Sequence, residues 1–164
     1  MDAAGLDAAV SQTPDRLKRL SRNLCMPAIF EFSVSALPAD TDLVGHVNNV
    51  VYLRWLQDAA IAHATAQGWS PAAWSQHGSG WVARSHFIEY SGPAFPGDQL
   101  LIRTWVVDMK RVTSKRRYVI LREEQPIVRA ETQWAFVSFS TLQPCRIPEH
   151  VARAFEIPDP EPAW

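Results

Sequence analysis

The chain has 164 residues, of which 47% are hydrophobic and 20% are charged, and its formal net charge at pH 7 is −1. These values predict one globular domain and give no reason to expect disorder, a nucleic-acid partner or a membrane partner. Two cysteines are too few for a disulfide framework or a zinc site, and no apolar stretch is long enough to cross a membrane. We therefore expect a cytoplasmic protein without a metal.

The beginning of the chain differs in pattern from the remainder. Residues 1–25 predict a loosely held tail or a short helix, and residues 26–164 predict a single domain. From Ile29 to Ala36 apolar and polar residues alternate, which is the period of a half-buried strand. A loop over residues 39–46 comes next, because Pro38 ends the strand pattern.

The segment after this loop has the pattern of a long helix. It begins at Asn48 or Asn49, either of which suits an N-cap, and it extends to Gln67. Gly68 suits the position just after the last helical residue. The segment is apolar nearly all round, so we expect the helix to be buried on most of its sides.

Four strand patterns come next, separated by turn residues, and we expect them to form a meander. They cover Trp81–Tyr90, Leu100–Met109, Val112–Glu123 and Ile127–Thr141. A short helix around Glu149–Phe155 closes the domain. One antiparallel sheet wrapped around one long buried helix accounts for the helix's apolarity and for the long strands, so the sequence predicts an α+β fold.

The loop before the long helix holds the residues most suited to chemistry. Asp42 and His46 lie next to a helix N-terminus, where unpaired backbone N–H groups are available for a negatively charged oxygen. A carboxylate at such a place suits hydrolysis of an activated acyl group, because it can attack the acyl carbon or take a proton from water. The alternative is that Asp42 only satisfies N–H groups of its own loop or caps the helix.

The run Asp42-x-x-Gly45-His46-Val47-Asn48-Asn49-x-x-Tyr52, with this element order, resembles the hotdog-fold thioesterases of the 4-hydroxybenzoyl-CoA thioesterase superfamily, which includes acyl-CoA thioester hydrolases. The resemblance covers about residues 28–156. It implies that Asp42 acts as nucleophile or general base, that the N–H of Asn49 polarises the thioester carbonyl, and that His46 assists. It also implies a homodimer or homotetramer with sites at the interface.

Further residues are candidates for binding the substrate. Asn48 and Tyr52 belong to the motif, and Glu89 is an acid in a strand between apolar neighbours. Five of the eight residues from Lys110 to Arg117 are basic, which predicts either a solvated turn or a patch for the phosphates of coenzyme A or an acidic carrier protein. The candidates within this run are Arg111, Ser114 and Lys115.

These observations predict an acyl-CoA or acyl-carrier-protein thioesterase that needs no cofactor beyond the coenzyme A of its substrate. Two alternatives remain open. One is an acyl-CoA-binding module without catalysis, and the other is a hotdog enoyl-CoA hydratase or dehydratase.

Overall fold

A computed structural model describes residues 28–164, so the predicted tail over residues 1–25 lies outside the described part. Residues 28–164 form five strands, three α-helices and one turn of 3-10 helix. In chain order these are β1 (Phe30–Ser35), the 3-10 turn (Pro38–Asp40), α1 (Asn49–Ala66), α2 (Pro71–His77), β2 (Ser79–Tyr90), β3 (Gln99–Met109), β4 (Thr113–Arg122), β5 (Gln125–Ser138) and α3 (Glu149–Ala154).

All five strands belong to one antiparallel sheet in the order β1-β3-β4-β5-β2, so the predicted α+β fold is confirmed. The predicted meander is only partly right. Strands β3, β4 and β5 follow one another, but β2 pairs with β5 at the far edge and not with β3. The reason is that α1 crosses the sheet, so the strands before and after this helix occupy opposite edges.

Helix α1 packs one face against the sheet. Its buried side chains are Tyr52, Trp55, Leu56, Ala59, Ala60, His63 and Ala64. The expectation that the helix is buried on most sides is wrong for a single chain, because Val50, Arg54 and Asp58 are exposed. The sheet covers one side of the helix, and no other element of residues 28–164 covers the opposite side.

The boundaries of α1 follow from local chemistry. The side chain of Asn48 accepts a hydrogen bond from the N–H of Val50 at 3.0 Å, and Gly68, with φ +81, follows the C-cap residue Gln67. Helix α2 was not predicted from the sequence. Its signal was present, since Ser70 caps the helix and Pro71 occupies its first position.

The strand register defines two ends of the sheet. At the loop end, Ser35 pairs with Gln99 and Tyr90 pairs with Val128, close to the N-terminus of α1. The turn end contains the β3–β4 turn and the start of β2. Because α1 has 18 residues, it separates the two ends by about 27 Å.

Candidate active site at the N-terminus of the long helix

The loop that carries Asp42 is closed by its own backbone. The N–H of Asp42 donates to the carbonyl of His46 at 3.0 Å, and the N–H of Gly45 donates to the carbonyl of Asp42 at 3.1 Å. Gly45 has φ +88, a backbone angle that side chains with a Cβ rarely adopt. This tight turn brings residues 42 and 46 side by side.

Asp42 and His46 form an accessible pair. The Nδ1 atom of His46 lies 3.5 Å from Oδ2 of Asp42. The side chain of His46 is 35% exposed and that of Asp42 is 27% exposed. The other carboxylate oxygen of Asp42 accepts the N–H of Val44 at 2.8 Å. One oxygen therefore holds the loop, while the other faces the imidazole and is available for chemistry.

Asp40, which the sequence reasoning did not single out, ties this loop to α1. Its buried carboxylate accepts from Arg54 at 2.7 Å and from the N–H of Leu37 at 3.0 Å, and its carbonyl accepts the N–H of Asn48 at 2.9 Å. Burial alone would raise the pKa of Asp40, but these hydrogen bonds and the charge of Arg54 outweigh it and hold the pKa below its ordinary value. Asp40 is therefore an ionised structural anchor.

The first N–H group of α1 is unpaired within the described part of the chain. Asn48 accepts from Val50 and its carbonyl accepts from Val51, but no residue in the described range accepts the N–H of Asn49. An unpaired N–H at the start of a long helix is a suitable donor for an oxyanion. The carbonyl of Asn49 accepts a hydrogen bond from the hydroxyl of Tyr90 at 3.2 Å.

An open cleft of about 320 Å³ lies at this end of α1, lined by His46, Val47, Asn49, Tyr52, Tyr90, Ser91, Gly92 and Pro93. Tyr52 is buried, and its hydroxyl accepts the N–H of Ala94 at 2.9 Å, which adds a structural role to the predicted binding role. Burial raises the pKa of Tyr52. Tyr90 was missed by the sequence reasoning, although it is the aromatic neighbour of the candidate Glu89.

Glu89 itself does not line the cleft. It is exposed on β2 and pairs with Arg129 in the strand register. Because side chains alternate along a strand, Glu89 points to the opposite face from Ile88 and Tyr90. The structure thus brings Asp42, His46, Asn48, Asn49 and Tyr52 together and leaves Glu89 outside.

The basic run does not form one patch, and in a single chain it lies at the turn end, away from Asp42. Ser114 is buried and donates to the carbonyl of Asp108 at 2.9 Å, while Nζ of Lys115 lies 3.1 Å from Glu131. Strand alternation turns Arg116 into the interior. Of the candidates in this run, Arg111 is exposed and forms no ion pair with any residue of the described range.

Two further features concern metals and membranes. Within residues 28–164 no three histidine, cysteine, aspartate or glutamate side chains lie close enough together to hold a metal ion. No helix in the same range combines the length and apolarity that crossing a membrane requires.

Comparison with known families identifies the class of protein. Residues 36–155 match the family described as the thioesterase-like superfamily, and this span is well over half of the chain. The chain belongs to the thioesterase-like superfamily. Membership supports thioester hydrolysis as the class of activity. Among curated proteins, none matches the chain.

Solved structures show the same fold at low sequence identity. The 1,4-dihydroxy-2-naphthoyl-CoA thioesterase Slr0204 from Synechocystis is 21% identical, with a TM-score of 0.72 over 77% of this chain and 96% of that one. Gentisyl-coenzyme A thioesterase BH1999 is 20% identical, with a TM-score of 0.70 over 78% and 99%. An acyl-ACP thioesterase from Bacteroides thetaiotaomicron VPI-5482 is 21% identical, with a TM-score of 0.74 over 84% and 56%. The hotdog fold inferred from the motif is therefore confirmed.

Proposed function

We propose that this protein hydrolyses acyl thioesters of coenzyme A, or of a carrier protein, at the cleft in front of α1. One observation carries the proposal: His46 and Asn49 line the same cleft, the N–H of Asn49 has no acceptor in the described range, and the Asp42 carboxylate lies 3.5 Å from the His46 imidazole. A donor for an oxyanion and a carboxylate base or nucleophile are thus available to one bound carbonyl group.

The reaction needs no group beyond these and water. Asp42 either takes a proton from a water molecule that attacks the thioester carbon, or attacks that carbon itself to give an anhydride that water then opens. Both routes pass through a tetrahedral oxyanion, which the Asn49 N–H stabilises. The carbon–sulfur bond breaks, the thiol leaves with a proton, and the acid is released. His46 orients Asp42 or the water.

We further propose that the active form is a homodimer built on the β2 edge, which also permits a homotetramer. Strand β2 has 12 residues and no strand neighbour on its outer side within the described range. Its exposed side chains include Val82 and Phe87, which are 48% and 57% exposed. Pairing two β2 strands antiparallel over their full length places Val82 of one copy opposite Phe87 of the other, so both become covered.

This dimer brings together what a single chain keeps apart. In the full-length register, Tyr90 of one copy lies opposite Ser79 of the second, so the loop end of each copy meets the turn end of the other. Arg111, in the β3–β4 turn, then lies on the side of the second copy's loop. We propose that Arg111 binds phosphate groups of the nucleotide part of the substrate.

The test is a thiol-release assay over a panel of acyl-CoA and acyl-carrier-protein substrates, comparing the wild type with Asp42→Asn. We expect release with the wild type and a loss of ~100-fold or more in kcat with Asp42→Asn, because a base or nucleophile is removed. The matched control is Asp58→Asn, which changes an exposed acid on α1 and should keep wild-type kcat. Wild-type kcat in Asp42→Asn would overturn the assignment.

The same panel addresses both alternatives. Acyl-CoA binding without thiol release would indicate a binding module. Addition of water to an enoyl-CoA, with the thioester intact, would indicate a hydratase.

A further inference from the structure

A charged side chain lies inside the domain at the turn end of α1. Arg116, on β4, is only 5% exposed. Its Nη1 atom lies 2.9 Å from Nδ1 of His63 and donates to Oγ1 of Thr104 at 3.2 Å. The guanidinium also lies 5.7 Å from the centre of the Phe155 ring. All of these neighbours are neutral groups or become so on burial.

No negative charge within residues 28–164 balances Arg116. No carboxylate of the described range lies within ion-pairing distance of its guanidinium, and the one charge interaction that favours its cationic form comes from the Tyr118 hydroxyl. A guanidinium remains protonated in proteins, so this residue keeps a buried positive charge. Isolated buried charges are costly, which makes an unpaired one a candidate for binding an anion.

His63 does not balance this charge. Burial and the adjacent positive charge of Arg116 lower the pKa of His63 to about 3, so the imidazole is neutral at physiological pH. Because Arg116 donates to Nδ1, the proton of the neutral ring is on Nε2. The histidine therefore orients the guanidinium by accepting a hydrogen bond and adds no charge.

Arg116 retains unused donors, and they border a cavity. Its hydrogen bonds to described residues all use Nη1, so its Nε and Nη2 donors are left for a ligand. The cavity, of about 30 Å³, is lined by Arg116, Trp74, Trp81, Met109 and Trp134 among others. This volume holds about two water molecules.

A carboxylate fits these features better than a neutral group does. Its two oxygens can accept from the Nε and Nη2 donors at the same time, and its size matches the small cavity. The indole and thioether groups around the cavity suit an apolar body behind that carboxylate. A whole acyl chain does not fit, so only its far end enters.

We propose that Arg116 selects acyl thioesters whose acyl group ends in a carboxylate and that its cavity binds this terminal group. This inference rests on the proposed thioesterase function. Within one chain, β5 spans about 20 Å between the loop end at Val128 and the cavity at Trp134. In the proposed dimer the Asp42 loop of the second copy lies nearer to this cavity than the loop of the same chain does. The acyl group therefore runs from Asp42 of one copy to Arg116 of the other.

The first experiment compares acyl-CoAs that end in a carboxylate with methyl-ended acyl-CoAs of equal carbon number. We expect the wild type to prefer the carboxylate-ended substrates by ~30-fold or more in kcat/KM, as for a buried charge pair. Arg116→Met should abolish this preference, and Arg116→Lys, which keeps the charge without the planar fork, should reduce it. Arg146→Met, at an exposed arginine, is the matched control and should retain it. Equal preference in wild type and Arg116→Met would overturn the proposal.

Direct binding separates this inference from the proposed function. Linear carboxylates should raise the Tm of the wild type more than alcohols of equal chain length, and should not raise that of Arg116→Met. If this binding is seen while no thioester is cleaved, the anion site is supported and the proposed function fails. If chloride at equal concentration raises the Tm as much, the cavity is a small-anion site and the selectivity proposal is overturned.

A mixing experiment tests the route between copies. Dimers re-formed from Asp42→Asn and Arg116→Met chains contain one site with both residues intact if the acyl group crosses the interface. Activity on the carboxylate-ended substrate should then exceed that of either variant alone. Mixed dimers no more active than the two variants would overturn the crossing.

Discussion

At residue 49 the main chain and the side chain make different contributions. Asn49 lines the cleft and its N–H has no acceptor in the described range, and no hydrogen bond from its side chain is seen there either. We therefore expect Asn49→Ala to change kcat little. Gly45→Val should lower kcat by about 100- to 1,000-fold, the usual cost of a lost oxyanion donor, because residue 45 has φ +88 and controls where the N–H points.

Steady-state thiol release by both variants is the measurement. No atom of the described residues lies within 4 Å of a Cβ added at Gly45, so we attribute a loss in Gly45→Val to the backbone angle. If Asn49→Ala were as damaging as Asp42→Asn while Gly45→Val were mild, the side chain of Asn49 would be the catalytic group and this mechanism would be wrong.

His63 gives the protein a specific response to acid. Its pKa is lowered from about 6.5 in the unfolded chain to about 3 in the folded one, so the unfolded state binds more protons between these values. Stability should therefore fall as the pH drops through this window, by about 1.4 kcal/mol per pH unit from this residue alone. His63→Gln, which still accepts from Arg116 and does not titrate, should flatten that slope.

Chemical denaturation at several pH values between 7.5 and 4 measures the slope. The control is His150→Gln, at an exposed histidine, which should keep the full wild-type slope. A wild-type slope in His63→Gln would show that another group causes the loss.

At the scale of elements, strand alternation divides the basic run into groups with different roles. Lys115 is neutralised by Glu131 at 3.1 Å, whereas Arg111 has no such partner in residues 28–164. We expect Arg111→Ala to raise KM for acyl-CoA by roughly fivefold at low salt, the effect of one exposed charge contact, with kcat nearly unchanged. Lys115→Ala should raise KM less. Equal KM values for Arg111→Ala and the wild type at low salt would show that this turn is solvated surface without a role in substrate binding.

The strands and α1 show which features of the fold could be predicted from the sequence and which could not. Alternation and turn residues were sufficient to predict every strand of the described range, and the Asn48 cap was sufficient for the start of α1. The pairing of β2 with β5 was not predictable, because it depends on which edge remains free after α1 crosses the sheet. Asp40 and Arg116 were missed for a similar reason: burial of a charge depends on long-range packing, which a local pattern does not contain.

At the scale of the whole molecule, the β2 edge decides the quaternary structure that we propose. A bulge between Ala83 and Ser85 shifts the register, so Val82 and Phe87, which face Ala135 and Glu131 of β5, point to the same face of the sheet. Changing Val82 and Phe87 to lysine in both copies places four positive charges next to the two-fold axis of the proposed dimer. We expect Val82→Lys with Phe87→Lys to give monomers in analytical ultracentrifugation and to lower kcat/KM severely, because each site needs both copies.

Ile157→Lys is the control for added surface charge, since Ile157 is exposed and lies beside Val106 and Val107 of β3, three strands away from β2. It should leave mass and activity at wild-type values. A fully dimeric Val82→Lys, Phe87→Lys protein would place the interface elsewhere.

The position of β1 has a consequence for the order of folding. Phe30 pairs with Thr104 and Ser35 with Gln99, whereas the hairpins β3–β4 and β4–β5 join neighbours in sequence. Closing the β1–β3 pair costs the most chain entropy, so this pairing should form late and open early. Because the Asp42 loop follows β1 directly, transient release of this one strand would remove the carboxylate from the cleft while the rest of the sheet remains folded. We therefore expect activity to be lost at lower denaturant concentrations than secondary structure.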